Sequence, residues 1–133
     1  MIHEEICTYE VCKLAKEKGF NVPTDRYYHI YDDVIEAQNS LEMTGDGCAD
    51  FYNSLNRCRC AAPTQSLLQR WLREEKKWNI VVRMYENEGY YWFIQNSKGK
   101  LQESYFTYAD EMFATYELAL EDSLKYALEN LVI

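Results

Sequence analysis

The sequence predicts an α+β fold: an antiparallel sheet packed by helices, its C-terminal part ordered helix, strand, strand, strand, helix. Three observations lead there. "NIVVRMYE" and "YYWFIQN" are β-prone runs parted by the turn residues "NEG". "QSLLQRWLREE" and "YELALEDSLKYALENL" repeat apolar residues at helical spacing. The aromatic run "RYYHIY" adds an N-terminal strand or strands to the three-strand C-terminal meander.

Each element has a local cause. "CTYEVCKLAKEKGF" reads as a short helix capped by Thr8, with Glu10 at its positive end and lysines at its negative end. Gly19 stands where a left-handed residue ends a helix, and Phe20 can fold back on the last turn. The expected core face is Val11, Leu14 and Ala15. A strand is expected from Arg26 to Asp32. In residues 33–62, "VIEAQNSLEM" allows a short helix and "TGDGCADFYNSLN" supplies turn formers. Thr64 is the expected cap of the second helix, with Leu67, Leu68, Trp71, Leu72 and Glu75 at helical spacing on one side and Arg70, Arg73 and Lys77 on another, diluted by Glu74. In the meander, Ile80, Val82 and Met84 point one way and Val81, Arg83 and Tyr85 the other. "SKG" is a second turn, "KLQESYF" a third strand and "TYADEMFA" an irregular connection. Thr115 caps a final helix from Tyr116 to Leu131, with Tyr116, Leu120, Leu124, Ala127, Leu128 and Leu131 as its buried face and Glu121–Lys125 as an i,i+4 pair.

Composition bounds the rest. A chain of 133 residues, 47% apolar and 15% aromatic, is expected to form a single domain, 1–133, with a real core. No run of about 18 apolar residues exists for a membrane helix. "MIHEEICTYEVC" opens with acids where a signal peptide needs cations, so a cytoplasmic location is expected, with no membrane partner.

The net charge of −8 argues against a generally nucleic-acid-binding surface. The segment Arg57–Lys100 nevertheless holds nine Lys/Arg against four Asp/Glu. A nucleic-acid-binding patch there is the alternative reading, with Arg70, Arg73 and Lys77 as a basic face. The helix-strand-strand-strand-helix order is that of the double-stranded-RNA-binding domain. Those domains need cations where the last helix begins, and here Glu117, Glu121 and Asp122 stand there.

Catalytic and metal patterns are sparse. Five cysteines are present, an odd number. Cys58 and Cys60 form a C-x-C pair that, with His29, is a weak set of candidate metal ligands, and it falls short of a complete zinc pattern. "GDGCAD" fails the calcium-loop pattern because Cys48 occupies an oxygen-ligand position. Asp32, Asp33, Asp46 and Asp50 could serve an acid or a metal, but no nucleophile setting or phosphate loop accompanies them. No cofactor and no catalytic residue is expected; a small enzyme or metal site is a minor alternative.

The unusual feature is aromatic density on adjacent strands. Tyr90, Tyr91, Trp92, Phe93, Tyr85 and Arg83 are the expected interface anchors, because Tyr, Trp and Arg dominate interface energetics. A non-enzymatic protein that binds a protein partner, a host protein or a second copy in a homodimer, is the reading these residues favour.

Two resemblances add context. "TYELALEDSLKYAL" after a small meander resembles the end of HicB-type antitoxins, which implies a toxin-neutralising role as a further alternative. The series "TYEVCKLAKEKGF", "APTQSLLQRWLREE" and "TYELALEDSLKYALENLV" is similar to a group of short, uncharacterised phage and prophage proteins of Bacteroidetes, the central block being the specific part. That resemblance implies a mobile-element setting and carries over no site residue. "MTGDGCADFYNSLNRCRC" departs from the group in length and cysteine content.

Overall fold

The computed structural model describes residues 2–29, 41–43, 53, 59–96, 104–107 and 112–133. The chain, expected to be a single domain, gathers its internal contacts in two compact units: Met1–Glu5 with Gln65–Ile133, and Ile6–Thr64. Helices and antiparallel sheets give the α+β class expected from the sequence.

The unit Ile6–Thr64 holds helix α1 (Tyr9–Glu17) and strands β1 (Arg26–His29), β2 (Leu41–Met43) and β3 (Arg59–Ala61), with β1 central in the order β2-β1-β3. Thr8 caps α1, its hydroxyl accepting from the Val11 amide at 3.4 Å. Gly19 adopts φ +93° and the Phe20 amide returns to the Ala15 carbonyl at 2.9 Å. This closure ends the helix and seats Phe20, 1% exposed, in the core. The buried face of α1 is Val11, Cys12 and Ala15. Cys12 takes the place expected for Leu14, which is only half-buried; a small thiol fits where the helix meets the sheet closely.

Leu41–Met43 is a strand, not the end of a helix: its backbone pairs with Arg26–Tyr28. Three residues carry too little periodicity to tell the two apart, and pairing with β1 decides. Of the strand expected to reach Asp32, residues 30–32 lie outside the described residues. So do Asp33, Asp46, Cys48, Asp50, Arg57, Cys58, Lys98 and Lys100, and the "SKG" turn.

Asn53 ties this unit together. Its side chain donates to the Phe20 carbonyl and accepts from the Ala61 amide, both at 2.7 Å, and is 6% exposed. Two backbone groups that would otherwise be buried unpaired are thereby satisfied. Lys16 Nζ donates to the Arg59 carbonyl at 2.6 Å, and the Tyr28 hydroxyl to the Cys7 carbonyl at 2.9 Å. The unit begins and ends side by side: Ile6 forms a bridge with Thr64, and the Cys7 amide donates to the Pro63 carbonyl at 3.0 Å.

The other unit contains helix α2 (Gln65–Glu75), strands β4 (Trp78–Tyr85), β5 (Gly89–Asn96) and β6 (Ser104–Thr107), and helix α3 (Tyr116–Asn130). The three strands form the expected antiparallel meander, in the order β4-β5-β6. Helix α2 starts directly after Thr64, and its first amide, Gln65, donates to the Glu5 carbonyl at 2.9 Å. It buries Gln65, Leu68, Trp71 and Leu72. Leu67 is half-buried and Glu75 exposed, so the stripe is narrower than its spacing suggests.

Helix α3 is capped by Thr115, whose hydroxyl accepts from the Leu118 amide at 3.1 Å. It packs on β4, β5 and α2. Its buried residues are Ala119, Leu120, Ser123, Leu124, Ala127 and Leu128. Tyr116 is 39% exposed and Leu131 half-buried, so the buried face is rotated from the one expected. The line of small residues at Ala119, Ser123 and Ala127 sets that rotation, since it lets the helix backbone approach the sheet; Ser123 satisfies its own hydroxyl on the Leu120 carbonyl at 2.6 Å. The Glu121 carboxylate accepts from Gln65 Nε2 at 3.0 Å, and Lys125 lies 3.9 Å from Glu129. No helix among the described residues is long and apolar enough to cross a membrane.

Candidate functional site

The six expected interface anchors all lie on β4 and β5, and the pleat divides them. Register sets Val81 opposite Phe93, Arg83 opposite Tyr91 and Tyr85 opposite Gly89. Because successive side chains alternate, these form one face, and Ile80, Val82, Met84, Tyr90, Trp92 and Ile94 form the other. The second face meets α3. Trp92 is 1% exposed there, its ring 5.2 Å from that of Tyr126 and its indole N–H on the Asp122 carboxylate. Trp92 therefore belongs to the core and is no surface anchor: aromatic content alone does not say which face a helix will cover.

On the opposite face the rings form a connected platform. Tyr85 meets Tyr91 edge-on at 6.4 Å, and Tyr91 stacks on Phe93 at 6.5 Å. The Arg83 guanidinium lies 5.1 Å above the Phe93 ring. Phe93 is its floor at 7% exposure, not a protruding anchor; Tyr85 at 45% and the exposed Arg83 are its accessible edge. The platform ends at a tight turn. Glu86 and Asn87 take φ +38° and +64°, and the Glu88 amide closes on the Tyr85 carbonyl at 2.7 Å. Two left-handed residues match the twist of the flanking strands.

Gly89 follows the turn at φ +140°, and a Cβ there would lie 2.7 Å from Met112 Cβ and 2.8 Å from the Phe113 oxygen. That approach lets Tyr90 and Phe113 exchange backbone hydrogen bonds at 2.8 and 2.9 Å, which joins the connection before α3 to the hairpin. On the helix-facing side of the same end, Tyr90 meets Tyr116 edge-on at 6.2 Å. Met84, across from Tyr90, is 59% exposed, and Leu118 on the first turn of α3 is 54% exposed. Apart from the terminal Ile2 and Ile133, the exposed large apolar side chains among the described residues are Met84, Tyr85, Tyr116 and Leu118. Sequence reasoning missed Met84, Tyr116 and Leu118. Their signal was position: a hairpin tip and a helix's first turn extend beyond the packed layers.

Part of the basic face is engaged locally. Arg70 and Arg73 are exposed on α2, Arg70 paired with Glu74 at 3.0 Å. Lys77, at φ +65°, donates to the Glu74 carbonyl at 2.7 Å, and Lys76 Nζ lies 5.3 Å above the Trp71 ring. Arg59 belongs to the other unit, its guanidinium 5.0 Å above the Tyr27 ring. Gln65, Glu4, Glu5 and Glu117 line a cleft of about 180 Å³ that would favour a cation over a phosphate.

Of the metal candidates, Cys60 is fully buried on β3 and His29 closes β1, while Cys58 lies outside the described residues. Among the described residues no three His, Cys, Asp or Glu side chains gather as a metal set would. Burial pushes the Cys60 thiol up to about 11, with Lys16 and Lys13 pulling weakly the other way. A neutral, enclosed thiol is a poor nucleophile and a poor metal ligand. No protein family, curated protein or solved structure matches the chain.

Proposed function

We propose that this chain is a non-enzymatic interaction protein of phage or prophage origin that works in the cytoplasm and binds a protein partner through the turn end of the β4–β5 hairpin. One observation carries the reading: at that end Arg83 and Tyr85 are exposed on the platform face, and Met84 and Tyr116 are exposed on the other face of the same hairpin. Large rings with few rotatable bonds, an arginine and a methionine are the side chains that anchor protein interfaces at low entropic cost. The Arg70–Glu74 ion pair on α2, with Glu117 and Glu121 at the start of α3, supports this reading over the nucleic-acid alternative.

The test is capture of partners by the tagged chain from host cytoplasm, compared with the Tyr85→Ala/Tyr91→Ala double variant. The proposal expects a specific partner that the variant loses by about tenfold or more, as truncated anchors do. Capture indifferent to both substitutions, or retention on heparin that falls steeply with salt, would sink it.

A further inference from the structure

We propose that the outer edge of β4 pairs with the same edge of a second copy, antiparallel about a two-fold axis at Val82, so that two three-stranded sheets join into one. The proposal goes beyond the protein-interaction reading, since it uses the backbone edge of β4 and not the side chains at the hairpin end.

The backbone says which groups face that edge. In an antiparallel ladder, alternate residues turn both their N–H and C=O toward the neighbouring strand or away from it. Tyr90 turns both toward Phe113, away from β4, so its cross-strand partner Met84 turns both away from β5. Two and four residues back, Val82 and Ile80 do the same. The Ile80 carbonyl confirms it by accepting from Gln69 Nε2 at 3.0 Å. In the order β4-β5-β6 the strand β4 is outermost, and among the described residues no strand pairs with its outer side. The Val82 and Met84 amides and carbonyls thus form a template for another strand.

One device that blunts such an edge is present at its start, where α2 packs on β4; along Val82 and Met84 the others are few. No proline interrupts Trp78–Tyr85, and its one charge, Arg83, lies over the Phe93 ring on the sheet face. Gln69 covers the Ile80 oxygen, but a carbonyl has a second lone pair.

Charge selects the occupant. Lys76 and Lys77 precede the strand, and Glu86 and Glu88 follow it in the turn. Antiparallel self-pairing brings the lysines of each copy to the glutamates of the other, at both ends. With Val82 opposite itself, Ile80 faces Met84 of the second copy, Val81 faces Arg83, and Lys77 comes opposite Asn87, between Glu86 and Glu88. A register two residues further along, with Arg83 opposite Arg83, places like charges together and is disfavoured.

The test is sedimentation of the full chain over a concentration series. Four proteins are compared: the wild type, Val82→Pro, Lys77→Glu, and Glu86→Lys/Glu88→Lys. The wild type is expected to dimerise. Val82→Pro, which removes the central edge N–H, is expected to be monomeric with an unchanged circular dichroism spectrum. Each charge variant alone should dimerise about tenfold more weakly, the loss expected from a few weak ion pairs. An equimolar mixture of the two charge variants should recover association, because each lysine end again meets a glutamate end. A monomeric wild type overturns the proposal, as does a dimer indifferent to Val82→Pro and to the charge variants. A monomeric chain whose captured partner depends on Tyr85 and Tyr91 leaves the interaction reading standing while self-pairing falls. Capture from the cytoplasm lost on Val82→Pro in a monomeric chain assigns the edge to another protein's strand, and that too overturns the second copy.

Discussion

The indole N–H of Trp92 donates to Asp122 Oδ2 at 2.9 Å, tying the middle of β5 to the outer side of α3. The donor is buried and the acceptor belongs to an exposed residue, so losing Asp122 strands a buried N–H. Asp122→Ala is expected to cost about 1–2 kcal/mol, and Asp122→Asn less, since it keeps an acceptor. Trp92→Ala should cost about 3–5 kcal/mol by leaving a cavity. Urea unfolding measures each as a shift in midpoint at constant slope. In a double-mutant cycle with Trp92→Phe, additive losses would show that the hydrogen bond contributes nothing.

Gly89→Ala should destabilise by about 1–3 kcal/mol, because the methyl meets Met112 and the Phe113 carbonyl and because φ +140° suits only glycine. Thermal melting checks it. The same substitution at Gly19, where nothing lies within 4 Å of the new Cβ, should cost less, the left-handed backbone being the only penalty.

The two caps should differ. Thr115 is bonded at 3.1 Å and Thr8 at 3.4 Å. Thr115→Ala is expected to lose about 1 kcal/mol, and Thr8→Ala less. Equal losses by denaturant unfolding would show that cap geometry does not set the difference.

Cys60 gives a pH dependence of definite sign. Its thiol titrates at about 11 in the folded protein, above the ordinary thiol value of 9.0. The unfolded chain therefore releases this proton first as pH rises. Stability from this group is complete below pH 9.0 and is lost as pH rises towards 11, by on the order of 2 kcal/mol. Cys60→Ser should flatten that decline in a series of unfolding curves. In the native protein at pH 8, Cys60 should resist alkylation until the chain is unfolded.

Much of the frame was legible because its signals are local. Thr8, Gly19 and Thr115 sit where caps and stops act on the nearest turn, and the alternation in β4 needs only one strand. What was misread depends on partners far along the chain. Trp92 and Tyr85 are both large aromatics seven residues apart, yet one is core and one is surface, because only the packing of α3 chooses the covered face. Tyr116 looked buried by spacing; the small residues Ala119, Ser123 and Ala127 turned the helix. Leu41–Met43 became a strand because β1 offered an edge. At the candidate site, the aromatic content was readable, whereas Met84 and Leu118 emerged only from where the hairpin and helix end.

The bridge between Ile6 and Thr64 implies an order of events during synthesis. The unit Ile6–Thr64 is made ahead of the meander and so clears the ribosomal exit tunnel first. The segment Met1–Glu5, by contrast, belongs with Gln65–Ile133 and must wait for it. Chains stalled late in synthesis are therefore expected to carry one completed unit while Met1–Glu5 is still unpaired, and a protease added to them should find Ile6–Thr64 protected before Gln65–Ile133 has emerged.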